Sequence, residues 1–240
     1  MDYVFIAHRG WSGVAPENTR AAFERALEGN EADVIECDIQ MTKDGKLVVI
    51  HDFSVDRTSD GTGAVYDYTY EELLRFDFGS WFAPEYTGQR IMLFSELLAL
   101  VNGKKRLMVE LKTVEGHYDD ILDKLFEELQ GYPTETLMLE SFNHNLIHEL
   151  KQRNPSLYTG IIYYGSPTRL VEQLKYQNCN FVSIQFCNIN KEIVDKLNAA
   201  GISIIVWTMN HPWQYDVIRF AGKGLYIASD YPDIGRKELC

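Results

Sequence analysis

Residues 136–207 read TLMLESFNHNLIHELKQRNPSLYTGIIYYGSPTRLVEQLKYQNCNFVSIQFCNINKEIVDKLNAAGISIIVW, and the order of patterns within them decides the fold class. Four short β-branched or aromatic runs (136–140, 160–164, 181–186 and 203–207) alternate with segments of helical period at 145–153, 169–176 and 191–199. Such alternation specifies a parallel sheet with right-handed crossovers. The same rhythm extends in both directions. Upstream lie a strand at 107–111 with a helix over 118–130, and strands at 34–40 and 47–50 around the turn Thr42-Lys43-Asp44-Gly45. A first strand at 4–7 leads to a helix around 18–27. Downstream, a helix over 213–220 and a strand at 225–228 close the series.

Counting 47–50 with the second unit gives eight strand positions in 240 residues, which favours a closed (β/α)8 TIM barrel over an open doubly wound sheet. No G-x-G-x-x-G follows a strand, so a dinucleotide-binding reading is weak. The chain reads as one domain, 1–240, with a small insertion at about 53–101 after the second unit, on the active-site face.

Composition bounds the function. Apolar residues make up 45% and charged residues 24%, as in an ordinary globular domain. A net charge of −12 argues against nucleic acid or an anionic membrane as partner, because both demand clustered Lys and Arg. The stretch from Met1 to His8 has neither a basic segment nor an apolar segment long enough for a secretion signal. No apolar run is long enough to span a bilayer. Cys37, Cys179, Cys187 and Cys240 form no C-x-x-C motif and are expected to be reduced, so the default address is cytoplasmic. Oligomeric state is not legible.

In a barrel the reacting groups stand at the carboxyl ends of strands. The first strand ends in His8-Arg9-Gly10, the second carries Glu36 and Asp38, the piece after the Asp-Gly turn ends in His51-Asp52, and the next ends in Glu110-Leu111-Lys112. Alternate strand residues share a face, so Glu36 and Asp38 point one way and Cys37 the other, while Glu110 and Lys112 point together. If those faces are inward, three carboxylates and an ammonium converge at one mouth. Clustered carboxylates need protons or a cation, and an all-oxygen set suits Mg2+, Ca2+ or Mn2+ better than Zn2+. A lone Glu-x-Asp pair is more often a salt-bridged strand end, and a lone His8 more often a satisfied buried histidine. Four such strand ends together make coincidence a poor account.

The residues also carry a family resemblance. His8-Arg9-Gly10, Pro16-Glu17-Asn18-Thr19, Ala22-Phe23, Ala32-Asp33-Val34-Ile35-Glu36-Cys37-Asp38, Thr42-Lys43-Asp44-Gly45 and Val48-Val49-Ile50-His51-Asp52 closely resemble the glycerophosphodiester phosphodiesterases. Weaker echoes are Glu110-Leu111-Lys112, Ser141-Phe142, Val206-Trp207-Thr208-Met209-Asn210 and Ser229-Asp230-Tyr231-Pro232. The resemblance implies metal-dependent hydrolysis of glycerophosphodiesters to glycerol 3-phosphate and an alcohol. It implies one divalent cation on Glu36, Asp38 and Glu110, His8 and His51 as general acid and base, and Arg9 and Lys112 on the phosphate. Phe142 and Trp207 would line the alcohol side of the pocket.

Three stretches depart from the family pattern: Glu31 in place of a glycine, residues 91–96, and residues 222–226. The first is a surface-turn change that leaves the site intact, while the other two are expected to bear on the pocket wall and substrate choice, leaving the chemistry intact. The nearest rival is a lysophospholipase D using the same site with a greasier cleft. A glycosidase also lives on this fold, but leaves the paired histidines, Arg9 and Lys112 unexplained. A catalytically dead phosphate-binding barrel would lack one of the five acid-base or ligand residues, and all are present. His144 and His148, at helical i, i+4 spacing, read as a solvated face, and His211 as a residue leading into a helix. The aromatic residues of the insertion read chiefly as packing.

Overall fold

The computed structural model describes residues 3–240, and Met1 and Asp2 lie outside the described residues. Strands β1 (Tyr3–Ala7) and β2 (Val34–Met41) flank helix α1 (Arg20–Glu28). The short β3 (Leu47–Val49) precedes α2 (Tyr70–Leu73) and α3 (Phe94–Val101). Regular alternation then runs β4 (Arg106–Leu111), α4 (Ile121–Glu128), β5 (Leu137–Ser141), α5 (His144–Arg153), β6 (Thr159–Tyr163), α6 (Leu170–Tyr176) and β7 (Phe181–Gln185). It ends with α7 (Lys191–Ala199), β8 (Ser203–Trp207), α8 (Gln214–Ala221), β9 (Leu225–Ser229) and α9 (Pro232–Leu239).

Eight parallel strands close into a barrel when β1 pairs with both β9 and β2. The fold is the (β/α)8 barrel that the alternation predicts. The ninth strand, β3, runs antiparallel along the carboxyl-terminal end of β2, pairing Ile39 with Val49 and Met41 with Leu47. Gly45, at φ 71, turns the hairpin between them.

One parity rule organises the interior. Ile6, Val34, Met108, Met138, Phe181, Ile205 and Ala228 form an inner apolar layer inside the barrel. Their strand neighbours, such as Phe5, Ile35, Leu107 and Ile204, belong to the larger core shared with the helices. Two residues further along each strand, and one step of ~6.6 Å nearer the carboxyl end, the inward positions are His8, Glu36, Glu110, Glu140, Ser183, Trp207 and Asp230. Cys37, between two inward acids, faces the outer shell and is fully buried there.

The helices start where side chains satisfy their free amides. Thr19 caps α1 by accepting from Ala22 N, Asn143 caps α5 from Leu146 N, and Asn190 caps α7 from Ile193 N. Each such cap contributes roughly 1 kcal/mol. Helix α4 begins three residues later than the periodicity predicts, because Tyr118 turns inward and donates to Gln40 Oε1 at 2.9 Å. Helix α9 was not expected. Its apolar stripe is short, but Gly235 lets it sit against Phe5, which a Cβ there would meet at 2.8 Å.

Residues 53–93 make a lobe with a small core of its own, in which Val55, Val65, Leu73, Phe78 and Ile91 pack under Val48 and Ile50. Of the insertion aromatics, Phe78 is buried and Phe76 packs edge-on to Tyr68, as packing residues should. All four cysteines are free, Cys37 and Cys179 buried and Cys187 and Cys240 exposed.

Candidate active site

Beyond Ala7 the chain bends sharply inward. Arg9 and Gly10 both take left-handed backbone, at φ 56 and φ 75. A Cβ on Gly10 would stand 2.8 Å from Ala22, so glycine is required twice over, by conformation and by space. The bend aims the Arg9 amide at Glu36 Oε2 (2.7 Å) and the Gly10 amide at Glu36 O (3.1 Å). Asn18, also left-handed at φ 56, donates through Nδ2 to Asp38 Oδ2 at 2.8 Å.

Glu36, Asp38 and Glu110 converge as the parity rule requires. One carboxylate oxygen from each lies within 4.8 Å of the others, and all three residues are buried. Lys112 Nζ stands 2.6 Å from Glu110 Oε1 and 3.0 Å from Asp38 Oδ1, and Arg9 Nε stands 3.5 Å from Asp38 Oδ2. Asp38 Oδ1 nevertheless has no properly angled hydrogen bond, so the Lys112 contact is an ion pair only.

Burial pushes the Glu110 carboxyl up to about 7 despite Lys112, and burial with the nearby Asp38 charge pushes Glu36 well up too. Burial opposes the Asp38 carboxylate as well, but Lys112 and Arg9 overcome it and hold Asp38 below the usual range. The cluster therefore carries more acid than its cations neutralise. Oxygens sharing one ion at about 2.0–2.6 Å can be at most about 5 Å apart, so this donor set fits a hard divalent cation.

Two histidines face the same space, each backed by a carboxylate. His8 Nδ1 is 2.6 Å from Asp230 Oδ1, which also accepts from Ser12 Oγ, while Asp230 Oδ2 accepts from Asn210 Nδ2. Burial opposes ionisation of Asp230, but the bond and charge of His8, with the bonds from Ser12 and Asn210, together outweigh it and bring the group to about 2. His51 Nδ1 is 2.7 Å from Asp52 Oδ1. Arg57 grips Asp52 through Nε (2.7 Å) and Nη2 (3.0 Å) and brings it to about 2. The same guanidinium reaches both oxygens of Glu17, which in turn accepts from Arg9 Nη1 at 2.7 Å. Burial, helped by the Arg9 and Lys112 charges and opposed by Asp38 and the Asp52 bond, lowers the proton affinity of His51.

The cavity around these groups holds about 550 Å³. Its polar wall is His8, Arg9, Glu36, His51, Glu110 and Lys112. The opposite wall is aromatic. Phe142, Tyr164 and Trp207 touch one another there, with ring centroids 5.4–6.4 Å apart.

The sequence profile of the glycerophosphoryl diester phosphodiesterase family matches residues 8–233. The chain belongs to that family. It is an enzyme, a phosphoric diester hydrolase. Relatives include YhdW of Bacillus subtilis, 37% identical over 235 residues (95% of this chain, 94% of that one), whose name assigns it provisionally as a glycerophosphodiester phosphodiesterase. The glycerophosphodiester phosphodiesterase of Caldanaerobacter subterraneus subsp. tengcongensis is 35% identical over 232 residues, covering 96% and 95% of the two chains. An Oleispira antarctica phosphodiesterase, solved with the product sn-glycerol-3-phosphate, superposes at TM-score 0.92 with 29% identity over 98% and 96% of the two chains.

Every site position read from the enzyme's sequence lies on this cavity or, for Asp38, directly beneath it against Arg9 and Lys112. Other residues of the site were not picked out. Asp230 is one, and its sequence signal is an acid just past the last strand. Gln40 left no signal at all. Fully buried, it aims Nε2 at the carbonyl oxygens of Ile50, His51 and Asp52, at 2.6–3.1 Å, and fixes the backbone that carries the second histidine. Glu140, inward on β5, is buried against Ser183 and raised to about 8, burial outweighing that bond.

Two readings need correction. Neither residues 91–96 nor 222–226 line the cavity, so these two departures lie off the pocket wall, while Glu31 lies off it as expected, its backbone carbonyl accepting from Arg236 Nε. His144 and His148 are half-buried rather than solvated. His144 contacts Ile162 O and Gln173, and His148 stacks on Tyr176, because helices α5 and α6 close over both rings. His211 leads into α8 as expected, its carbonyl accepting from Gln214 N. No helix among the described residues is long and apolar enough to cross a membrane.

Proposed function

We propose that this chain hydrolyses glycerophosphodiesters to glycerol 3-phosphate and an alcohol, with a divalent cation (Mg2+, Ca2+ or Mn2+) and two-histidine acid–base catalysis. One observation carries the reading: two imidazoles, each held at Nδ1 by a carboxylate, face one cavity built on Glu36, Asp38 and Glu110. The sn-glycerol-3-phosphate in the Oleispira antarctica neighbour supports the product assignment.

A phosphodiester anion repels nucleophiles, so its charge must first be met. A cation on Glu36, Asp38 and Glu110 supplies that neutralisation when bound. Arg9 and Lys112 hold the phosphate beside it, and such preorganised charge is usually the largest catalytic contribution. The Nδ1 bonds to Asp230 and Asp52 fix each ring so that Nε2 faces the cavity. One of His8 and His51 accepts the proton of the attacking oxygen and the other protonates the leaving alkoxide. Phe142 and Trp207 line the alcohol side.

A lysophospholipid is the second substrate class, favoured by the continuous wall of Phe142, Tyr164 and Trp207. Alcohol release is measured from glycerophosphocholine, glycerophosphoethanolamine and lysophosphatidylcholine, with chelator and with each cation restored. Cation-dependent release is expected. His8→Ala and His51→Ala should each lose on the order of 10²-fold or more in kcat while remaining folded. No alcohol from any of the three diesters, with any of the three cations, would overturn the assignment.

A further inference from the structure

Among the described residues, nine large apolar side chains are exposed, and their placement is lopsided. Two of them, Tyr176 and Phe220, stand near the carboxyl ends of α6 and α8, at the end of the barrel away from the cavity. The other seven lie toward the end of the barrel that opens the cavity, and three of them, Phe53, Phe142 and Tyr164, line it. Phe142 and Tyr164 are the first residues past β5 and β6, Tyr231 is the second past β9, and Trp213 opens α8 just after β8. Val14 follows β1, and Phe53 lines the mouth beside His51. Trp81 packs edge-on to Phe82, which packs on Tyr86, whose hydroxyl donates to Val14 O at 2.8 Å.

We propose that this face docks reversibly on a zwitterionic lipid surface. Aromatic residues with one apolar and one polar edge favour the boundary between lipid headgroups and acyl chains, and a rim of them around one opening is how a protein lies on a membrane without entering it. Phe53, Phe142 and Tyr164 line the opening itself, and the wall of Phe142, Tyr164 and Trp207 continues the same surface inward. Charge selects the kind of lipid. The net charge is −12, and the mouth cations Arg9, Arg57 and Lys112 are already matched by Glu17, Asp38, Asp52 and Glu110. Anionic headgroups therefore meet no unsatisfied cation among these three, whereas phosphatidylcholine-type headgroups meet no net repulsion. The substrate consequence, a diester still carrying an acyl chain, rests on the phosphodiesterase reading; the docking does not.

Co-sedimentation of the full chain with vesicles of pure phosphatidylcholine, in chelator so that nothing turns over, tests docking independently of activity. The parent is expected to sediment with the vesicles, and less so as phosphatidylglycerol is added. The double variant Val14→Ser with Trp213→Ser should lose binding by about fivefold or more, and Tyr176→Ser with Phe220→Ser should match the parent. Both pairs should hydrolyse soluble glycerophosphocholine within about twofold of the parent, since neither touches the cavity. A parent left in the supernatant, binding that requires anionic lipid, loss on the Tyr176/Phe220 pair instead, or self-association in place of vesicle binding would each overturn docking by this face. So would a fall in soluble turnover that parallels the fall in vesicle binding.

Discussion

Asp52 Oδ1 lies 2.7 Å from Nδ1 of His51, its neighbour in the chain, and Asp230 stands in the same relation to His8 from 222 residues away. Equivalent local geometry has been assembled once by adjacency and once by closure of the barrel. Each carboxylate fixes which ring nitrogen carries the proton. Asp52→Asn and Asp230→Asn should therefore each lower kcat on the order of 10²-fold, with KM changed little. Steady-state kinetics on a soluble diester check this, and kcat within twofold of the parent in either variant would remove that carboxylate from the scheme.

Arg57 joins the inserted lobe to the site by gripping Asp52 and Glu17 together. The guanidinium is close to half exposed, so Arg57→Ala should cost at most about 1 kcal/mol of stability. Its effect should fall on turnover instead, a loss of roughly three- to tenfold, with Arg57→Lys intermediate because an ammonium lacks the planar fork. Thermal melts beside kcat separate the two. A drop in Tm without a drop in kcat would make the contact structural only.

The acidic cluster predicts a pH dependence with a definite sign. Burial raises Glu110 from 4.5 to about 7, and Glu140 likewise to about 8. A raised carboxyl contributes stability fully below its unfolded value near 4.5, and that contribution is lost as pH rises through the folded value. In chelator, Tm should fall between about pH 5 and 8, by roughly 2–4 °C for each kcal/mol lost. A divalent cation competes with the Glu110 proton, so its affinity should rise over the same interval and its addition should flatten the slope. Scanning Tm against pH with and without Mg2+, Ca2+ or Mn2+ reads both effects, and a chelated protein that gains stability on alkalinisation would contradict them.

Gln40 is the fourth test. Replacing it with Leu leaves the carbonyls of Ile50, His51 and Asp52 and the Tyr118 hydroxyl without their amide partner. Stranding buried polar groups costs about 1–3 kcal/mol each where water cannot reach them. A fall in both Tm and kcat is expected for Gln40→Leu, while Gln40→Glu keeps an acceptor for Tyr118 and loses the donors alone.

Much of this architecture was legible from residue order. Strand period placed Glu36 and Asp38 inward and Cys37 outward, and the alternation of elements gave the barrel, because both are local properties of the backbone. What stayed hidden depends on partners distant in sequence. Nothing near Gln40 announces the three carbonyls it meets, and nothing near Asp230 announces His8. Helix α9 was missed because its contact with the barrel runs through Gly235 and Phe5 rather than through a long apolar stripe. His144 and His148 looked solvent-facing because helical spacing cannot reveal that a neighbouring helix covers them.

The hairpin that lays β3 back along β2 concentrates more of the site on one stretch of chain than the other strands do. Glu36, Asp38, Gln40 and, through the returning segment, His51 all ride on one folded ribbon of chain. A slip of one position in that ribbon would turn two acids and the anchoring amide outward at once, and would carry the imidazole with them. Here an insertion or deletion of a single codon is all or nothing.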